Sequence, residues 1–232
     1  MLTPLTTHEN KVIRQLPRWV EIGGFWLAFI AGSINAIGVL GFEHQAVSHL
    51  TGTSTLTSLA IVDFNVAEAG HLLLIILFFV LGSALSGAII DNAILRLGRR
   101  YSFALIIEAA LLLLAMGALS RGSNTGHYLA SAACGLQNGM VSTYSGAIVR
   151  TTHVSGLFTD LGTMLGARLR GHKIDSRKAL LFIVLISGFF LGGCVGAIGF
   201  QHLQFTALAL PASGALLLAG VNWTYRYRGN MK

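Results

Sequence analysis

Charge is what this sequence has least of. Of its 232 residues, 16 are Lys or Arg and 9 are Asp or Glu, together 11%, whereas soluble domains carry roughly 25%. With 53% hydrophobic residues and a mean hydropathy of +0.68, the chain reads as one integral membrane domain rather than a soluble one. No Lys or Arg occurs between Arg18 and Arg96. Cysteine is nearly as rare. Cys134 and Cys194 both sit in apolar runs beside Gly or Ala, which marks them as small packing residues and leaves the redox compartment open. The sequence also lacks His-Glu-x-x-His, Gly-x-Ser-x-Gly, a P-loop and Cys-x-x-Cys, so it gives no ground for an enzyme, a metal site or a cofactor. The net charge of +7 is no nucleic-acid footprint, because the basic residues cluster at the ends of apolar runs as topology signals.

What the chain does have is a polar motif present twice. The first copy is Gly32-Ser33-Ile34-Asn35 followed by Ser48-His49-Leu50-Thr51-Gly52-Thr53-Ser54-Thr55. The second is Gly135-Leu136-Gln137-Asn138 followed by Thr152-His153-Val154-Ser155-Gly156-Leu157-Phe158-Thr159. Gly, Asn, His, Gly and Thr recur in order with one residue of slippage. Each copy closes an apolar run of helix length, the pattern expected of two related halves meeting at a polar site, as in transporters.

Six runs are long and apolar enough to cross a bilayer at roughly 20 residues per crossing: Trp19–Gly41, His71–Leu95, Tyr101–Leu119, Tyr128–Val149, Ala179–Phe200 and Phe205–Trp223. The first is too long for a signal-peptide core and lacks an Ala-x-Ala ending, so it reads as a retained span. Ser48–Ala67 and His153–Arg170, rich in Thr, Ser and Gly, are ambiguous. If only the six long runs cross, 15 of the 16 basic residues face the cytoplasm and only Arg121 lies outside; if all eight cross, the count is 12 inside and 4 outside. The positive-inside rule favours six. The expected fold is therefore all-α, with six transmembrane helices in two inverted three-helix repeats (about 19–120 and 127–223). Each repeat has an extra short re-entrant or interfacial helix, and cytoplasmic tails (1–18 and 224–232) flank the domain. A re-entrant segment would have to be buried in protein or line a wet cavity.

Several polar residues fall at membrane depth. Glu108 lies seven residues into its run, where a charge costs about 2.5–3.5 kcal/mol or more. It is either a carrier of protons or substrate ions or a protonated or hydrogen-bonded structural acid. Asn35, Gln137 and Asn138 should face the bundle interior, since unpaired amides in lipid are costly, and there they either bind solute or tie helices together. His49 and His153 are of the residue type that suits proton coupling, or they cap helices or sit at the membrane interface. Thr51, Thr55 and Thr159 complete the candidate binding set, and Asp160 joins Glu108 as a candidate coupling acid. Small residues at four-residue spacing (Ser83/Gly87, Gly135/Gly139, Gly162/Gly166 and Gly188/Gly192/Gly196) allow close helix approach, within a protomer or between two.

The stretches Cys134 to Gly139 and Thr151 to Leu161, with Ala31 to Ala36 and Ser48 to Gly52, resemble the YoaK-like family of bacterial inner-membrane proteins from about Gly24 to Trp223. The resemblance implies a multi-pass inner-membrane location and supports architecture more than activity. This chain departs from the family at Asn35, where an Asp is common, and at Thr53, where an Asn is common. If that Asp carries protons in relatives, this chain either lacks the step or uses Glu108 or a histidine for it. A second stretch, Asp91 followed by Arg96, Arg99 and Arg100, is similar to a lengthened form of the cytoplasmic charge loop of the major facilitator superfamily. It implies a cytoplasmic charge cluster and half of a facilitator-like unit, by fold analogy alone.

These readings point to a small secondary transporter or permease, proton-coupled, acting on an unidentified small solute and forming a homodimer. A pore built where two re-entrant segments meet, and a non-transport scaffold or regulatory protein, are the alternatives.

Overall fold

The computed structural model describes residues 18–41, 48–90, 99–145 and 151–229. These form helices joined by short turns, with no strand among the described residues. In chain order the helices are α1 (Arg18–Gly41), α2 (Leu50–Val62), α3 (Val66–Ile89), α4 (Arg99–Leu119), α5 (Thr125–Ser145), α6 (Val154–Leu169), α7 (Ser176–Leu203) and α8 (Ala209–Gly229), with a 3-10 turn at Gln204–Leu208 before α8.

Local chemistry fixes several boundaries. Asn65 caps α3 by accepting from the Glu68 amide at 3.2 Å, while its own side-chain amide donates to the Glu68 carboxylate at 2.8 Å. Asp175 caps α7 by accepting from the Arg177 and Lys178 amides. Such caps occupy backbone donors that a helix start leaves unpaired. The break between α7 and α8 is sharper than the apolar pattern suggests. Gln204 adopts φ 52°, so the final helix begins four residues later than a run opening at Phe205 predicts. Pro211 then falls in its first turn, where a missing N–H costs nothing.

Among the described residues, four stretches are long and apolar enough to cross a membrane: Glu21–Gly41, Val66–Ile89, Arg99–Leu119 and Ser176–Thr224. The last contains both α7 and α8. Helix α5 is not among them, since Thr125, His127, Ser131, Gln137 and Asn138 dilute its apolar content. The chain thus has the helices of a multi-pass membrane protein.

The packing follows small residues. On α7, a Cβ added at Gly188, Gly192 or Gly196 would lie 2.5, 2.0 or 2.5 Å from the carbonyl oxygens of Phe25, Phe29 and Ser33 on α1. Contact numbers rise together, so α1 and α7 run in the same direction. Ser33 reinforces the contact by donating to the Gly192 carbonyl at 2.9 Å. Helices α3 and α5 repeat the arrangement. Ser131 donates to the Ile75 carbonyl at 2.8 Å, Gly135 rests on the Phe79 carbonyl, and Gly139 on Ser83 and Ser86. These two also run in parallel. Backbones this close are what glycine at a helix interface permits.

The remaining pairs run in opposite directions. Tyr101 of α4 donates to the Met140 carbonyl of α5 at 2.6 Å, while Gly126 at the other end of α5 meets Ala115 and Leu119. Ser102 donates to the Ala219 carbonyl of α8 at 3.1 Å, and α4 reaches the 3-10 turn with its far end. Gly41 of α1 abuts Phe205, and Ile30 lies against Gly214. Helices α1, α4 and α7 therefore run one way and α3, α5 and α8 the other. It follows that Gly41 and Val66 lie at one end of the bundle, and that α5 ends and α7 begins at the opposite end.

The two short helices accordingly sit at opposite ends. Ala60 of α2 packs with Ala69, Leu72 and Ile75 of α3. Leu157 of α6 belongs to the cluster of Tyr101, Leu105, Met140, Leu181, Phe182 and Leu185. Between the ends, Ile30, Ile34, Ala109, Leu112, Cys134, Ala212 and Ala215 form the central core.

Candidate functional site

Each motif copy folds into the same small device. At the end of α1, the Asn35 side-chain oxygen accepts from the Ser48 hydroxyl at 2.8 Å. His49 follows at the N-cap of α2 without bonding the helix through its side chain. Its ring lies over Gly52, where a Cβ would stand 2.9 Å from the imidazole Cδ2. In the second copy the Asn138 amide donates to the Thr152 hydroxyl, and Thr151 is shared between the oxygens of Gln137 at 3.1 Å and Asn138 at 3.3 Å. His153 takes the N-cap of α6, again without a side-chain cap, and its ring lies over Gly156, with a Cβ there 2.5 Å from Cδ2. The spaced glycines of the motif are thus seats for histidine rings.

The structure brings each Asn to the hydroxyl that precedes its motif's histidine, and it holds the two devices apart. Both histidines are exposed, at opposite ends of the bundle. The second device also reaches α1 through Gln137, whose amide donates to the Leu27 carbonyl at 3.2 Å. Thr51, Thr55, Thr159 and Asp160 lie on the outer surface of the short helices. The Thr55 and Thr159 hydroxyls donate back to the Thr51 and Ser155 carbonyls at 3.0 Å, a local bond that satisfies a hydroxyl without any outside partner.

Glu108 stands midway along α4 and is 0% exposed, with neither carboxyl oxygen hydrogen-bonded. Its level in the bundle is that of the central apolar core. An ionised carboxylate in such a setting needs a counter-charge or solvent, and the described residues supply neither through a hydrogen bond.

Of the charge cluster, Asp91 and Arg96 lie outside the described residues. Arg99 stands 6.0 Å over the Trp223 ring, a cation–π distance, and Arg100 is exposed. Gly188, Gly192, Gly196, Gly135 and Gly139 all serve packing within the protomer, whereas Gly87, Gly162 and Gly166 meet open space. The described residues contain no group of three or more His, Cys, Asp or Glu placed to hold a metal.

One cluster was missed by sequence reasoning. The His71 Nδ1 of α3 lies 2.9 Å from the Tyr128 hydroxyl, and its Nε2 lies 3.1 Å from the His127 Nδ1 of α5. His71, His127 and Tyr128 stand beside the boundaries of apolar runs, and only the parallel pairing of α3 with α5 brings them together.

No curated protein and no solved structure matches this chain. Residues 23–221 match the family described as protein of unknown function (DUF1275), and the chain belongs to that family.

Proposed function

We propose that this protein is a small secondary transporter of the bacterial inner membrane, proton-coupled, whose solute is unidentified. In this reading the six long helices cross the bilayer as two inverted halves, α1 to α4 and α5 to α8. Both termini face the cytoplasm, and two copies form a homodimer. It catalyses no covalent chemistry.

The carrying observation is reciprocity between the halves. Gly32 rests on the Phe189 carbonyl and Gly135 on that of Phe79; Gly192 rests on Phe29 and Gly82 on Ala132. Each contact maps onto its counterpart by the same two shifts in sequence, 103 positions for α1 to α5 and 110 for α3 to α7. The mapped helices, α1 with α5 and α3 with α7, run in opposite directions. Inverted repeats of this kind frame many transporter folds, with sites near the bilayer midplane at the repeat interface.

Within that frame the Asn35/Ser48/His49 device lines one mouth, together with Thr51 and Thr55. The Asn138/Thr152/His153 device lines the other, together with Gln137 and Thr159. Glu108, central and unbonded, carries the coupling proton, and Asp160 collects protons at the α6 surface. The pore reading is less well supported, because α2 and α6 pack at opposite ends and share no packed face.

The test is reconstitution. Proteoliposomes carrying an interior pH dye should acidify when a small-solute panel is added under a pH gradient, and Glu108→Gln should abolish that signal. A panel that gives neither flux nor binding contradicts the reading.

A further inference from the structure

The inverted frame implies that the start of α1 and α7 and the start of α3 and α5 are equivalent places at opposite ends of the bundle. Both are clasped, by different chemistry. At the first, Arg177 of α7 lies 3.6 Å from the Glu21 carboxylate of α1. At the second, the His71–His127–Tyr128 chain joins α3 to α5, with the two imidazoles 5.1 Å apart, edge to face, and His71 5.3 Å from the Tyr128 ring. His127 is 8% exposed, while His71 and Tyr128 are half-buried, so water reaches the clasp from the His71 side.

The hydrogen-bond geometry limits how many protons the clasp can hold. The 3.1 Å separation between His127 Nδ1 and His71 Nε2 needs one proton between two nitrogens. The neutral pair satisfies this in either direction, because a neutral imidazole donates with one nitrogen and accepts with the other. One added proton is also accommodated, since a charged His71 donates to His127 on one side and to the Tyr128 hydroxyl on the other. A second added proton turns His127 Nδ1 and His71 Nε2 into two N–H groups facing each other. The bond is then lost and two like charges stand in contact.

The geometry points to the His71–His127 pair as a proton-operated latch between α3 and α5, closed while the pair holds at most one added proton and opened by a second. The partner is the aqueous proton at the α3/α5 end. The titratable and charged groups that the chain places at this end include Glu68 one turn earlier on α3, Asp63 at the end of α2, Arg121 in the turn before α5, His202 in the last turn of α7, and Tyr128. Of these, Tyr128 is hydrogen-bonded to the pair. Calling the latch a transport gate rests on the proposed function; its opening by protons does not.

The experiment uses the full chain in lipid nanodiscs, with Cys134 and Cys194 replaced by Ala and spin labels at Ala67→Cys and Asn124→Cys. The inter-label distance is followed from about pH 8 to about pH 3.5, reaching below the usual histidine range because a second charge beside the first is taken up later. Histidine-labelled nitrogen NMR counts the protons on each ring. The expected result is a shift to longer distance that coincides with the second proton, and loss of that shift in His127→Asn, which keeps an amide at the Nδ1 position without a titratable ring. The His71→Gln variant should lose it too. The proposal is overturned by a distance that stays constant while both rings become charged, by the same lengthening in the two variants, or by a pair that never takes its second proton in this range. A latch that opens in protein showing no solute flux would sink the transporter reading and leave the latch standing.

Discussion

Gly135 sits against the Phe79 carbonyl so closely that a Cβ would stand 2.0 Å from its oxygen, and Gly32 sits against the Phe189 carbonyl with the corresponding distance 2.1 Å. The obstacle in both cases is backbone, which cannot swing aside as a side chain can. Gly32→Ala and Gly135→Ala should therefore each separate a parallel helix pair and cost about 1–3 kcal/mol, the range for overpacking a core. Gly87→Ala, at a helical position with open space around it, should be neutral or stabilising by up to about 1 kcal/mol. Reversible unfolding in mixed detergent micelles measures the difference. Equal costs at all three positions would remove the packing argument.

The paired devices make an unequal prediction. Asn35 accepts from one hydroxyl, while Asn138 engages two, Thr151 and Thr152. Leaving a buried polar group unpaired costs about 1–3 kcal/mol. Asn35→Ala should fall at the low end of that range and Asn138→Ala at the high end, in the same unfolding assay. Adding Ser48→Ala to Asn35→Ala should restore part of the loss, because the stranded hydroxyl is then removed.

Gly52 and Gly156 test the histidine seats. A Cβ at either position meets an imidazole edge, which can rotate away, so Gly52→Ala and Gly156→Ala should change stability by less than about 0.5 kcal/mol. Each should nevertheless displace its histidine. Nitrogen NMR should show the His49 resonance shift in the first variant and that of His153 in the second, with solute flux reduced in both.

Glu108→Gln preserves size and removes the charge. Stability should stay within about 1 kcal/mol of the parent, as expected for a near-isosteric change, while proton-linked flux is lost. A variant that unfolds instead would mark Glu108 as a structural acid.

Much of this architecture can be read from the chain. The long runs became helices, and the duplicated Asn/His/Gly spacing marks two devices that do fold alike. The glycine series Gly188/Gly192/Gly196 announced a close helix contact. What the sequence could not convey is which helices meet. Apolar faces of similar composition are interchangeable on paper, so neither the α1–α7 pairing nor the distance between the two histidine devices follows from pattern. The His71–His127 contact is hidden for the same reason, since its members are 56 positions apart. The late start of α8 depends on one residue, Gln204, in a left-handed conformation that its identity does not advertise. The depth of Glu108 was legible, because seven residues of its run, Tyr101 to Ile107, precede it.

The central claim is that the two halves are inverted across the bilayer. The most direct measurement is membrane-impermeant thiol labelling of intact cells, with single cysteines at Ala67, Ser123 and His172 in a background lacking Cys134 and Cys194. The account predicts that Ala67→Cys and Ser123→Cys are labelled from outside and His172→Cys only after the membrane is opened. Protection of all three in intact cells would place them on one face and contradict it.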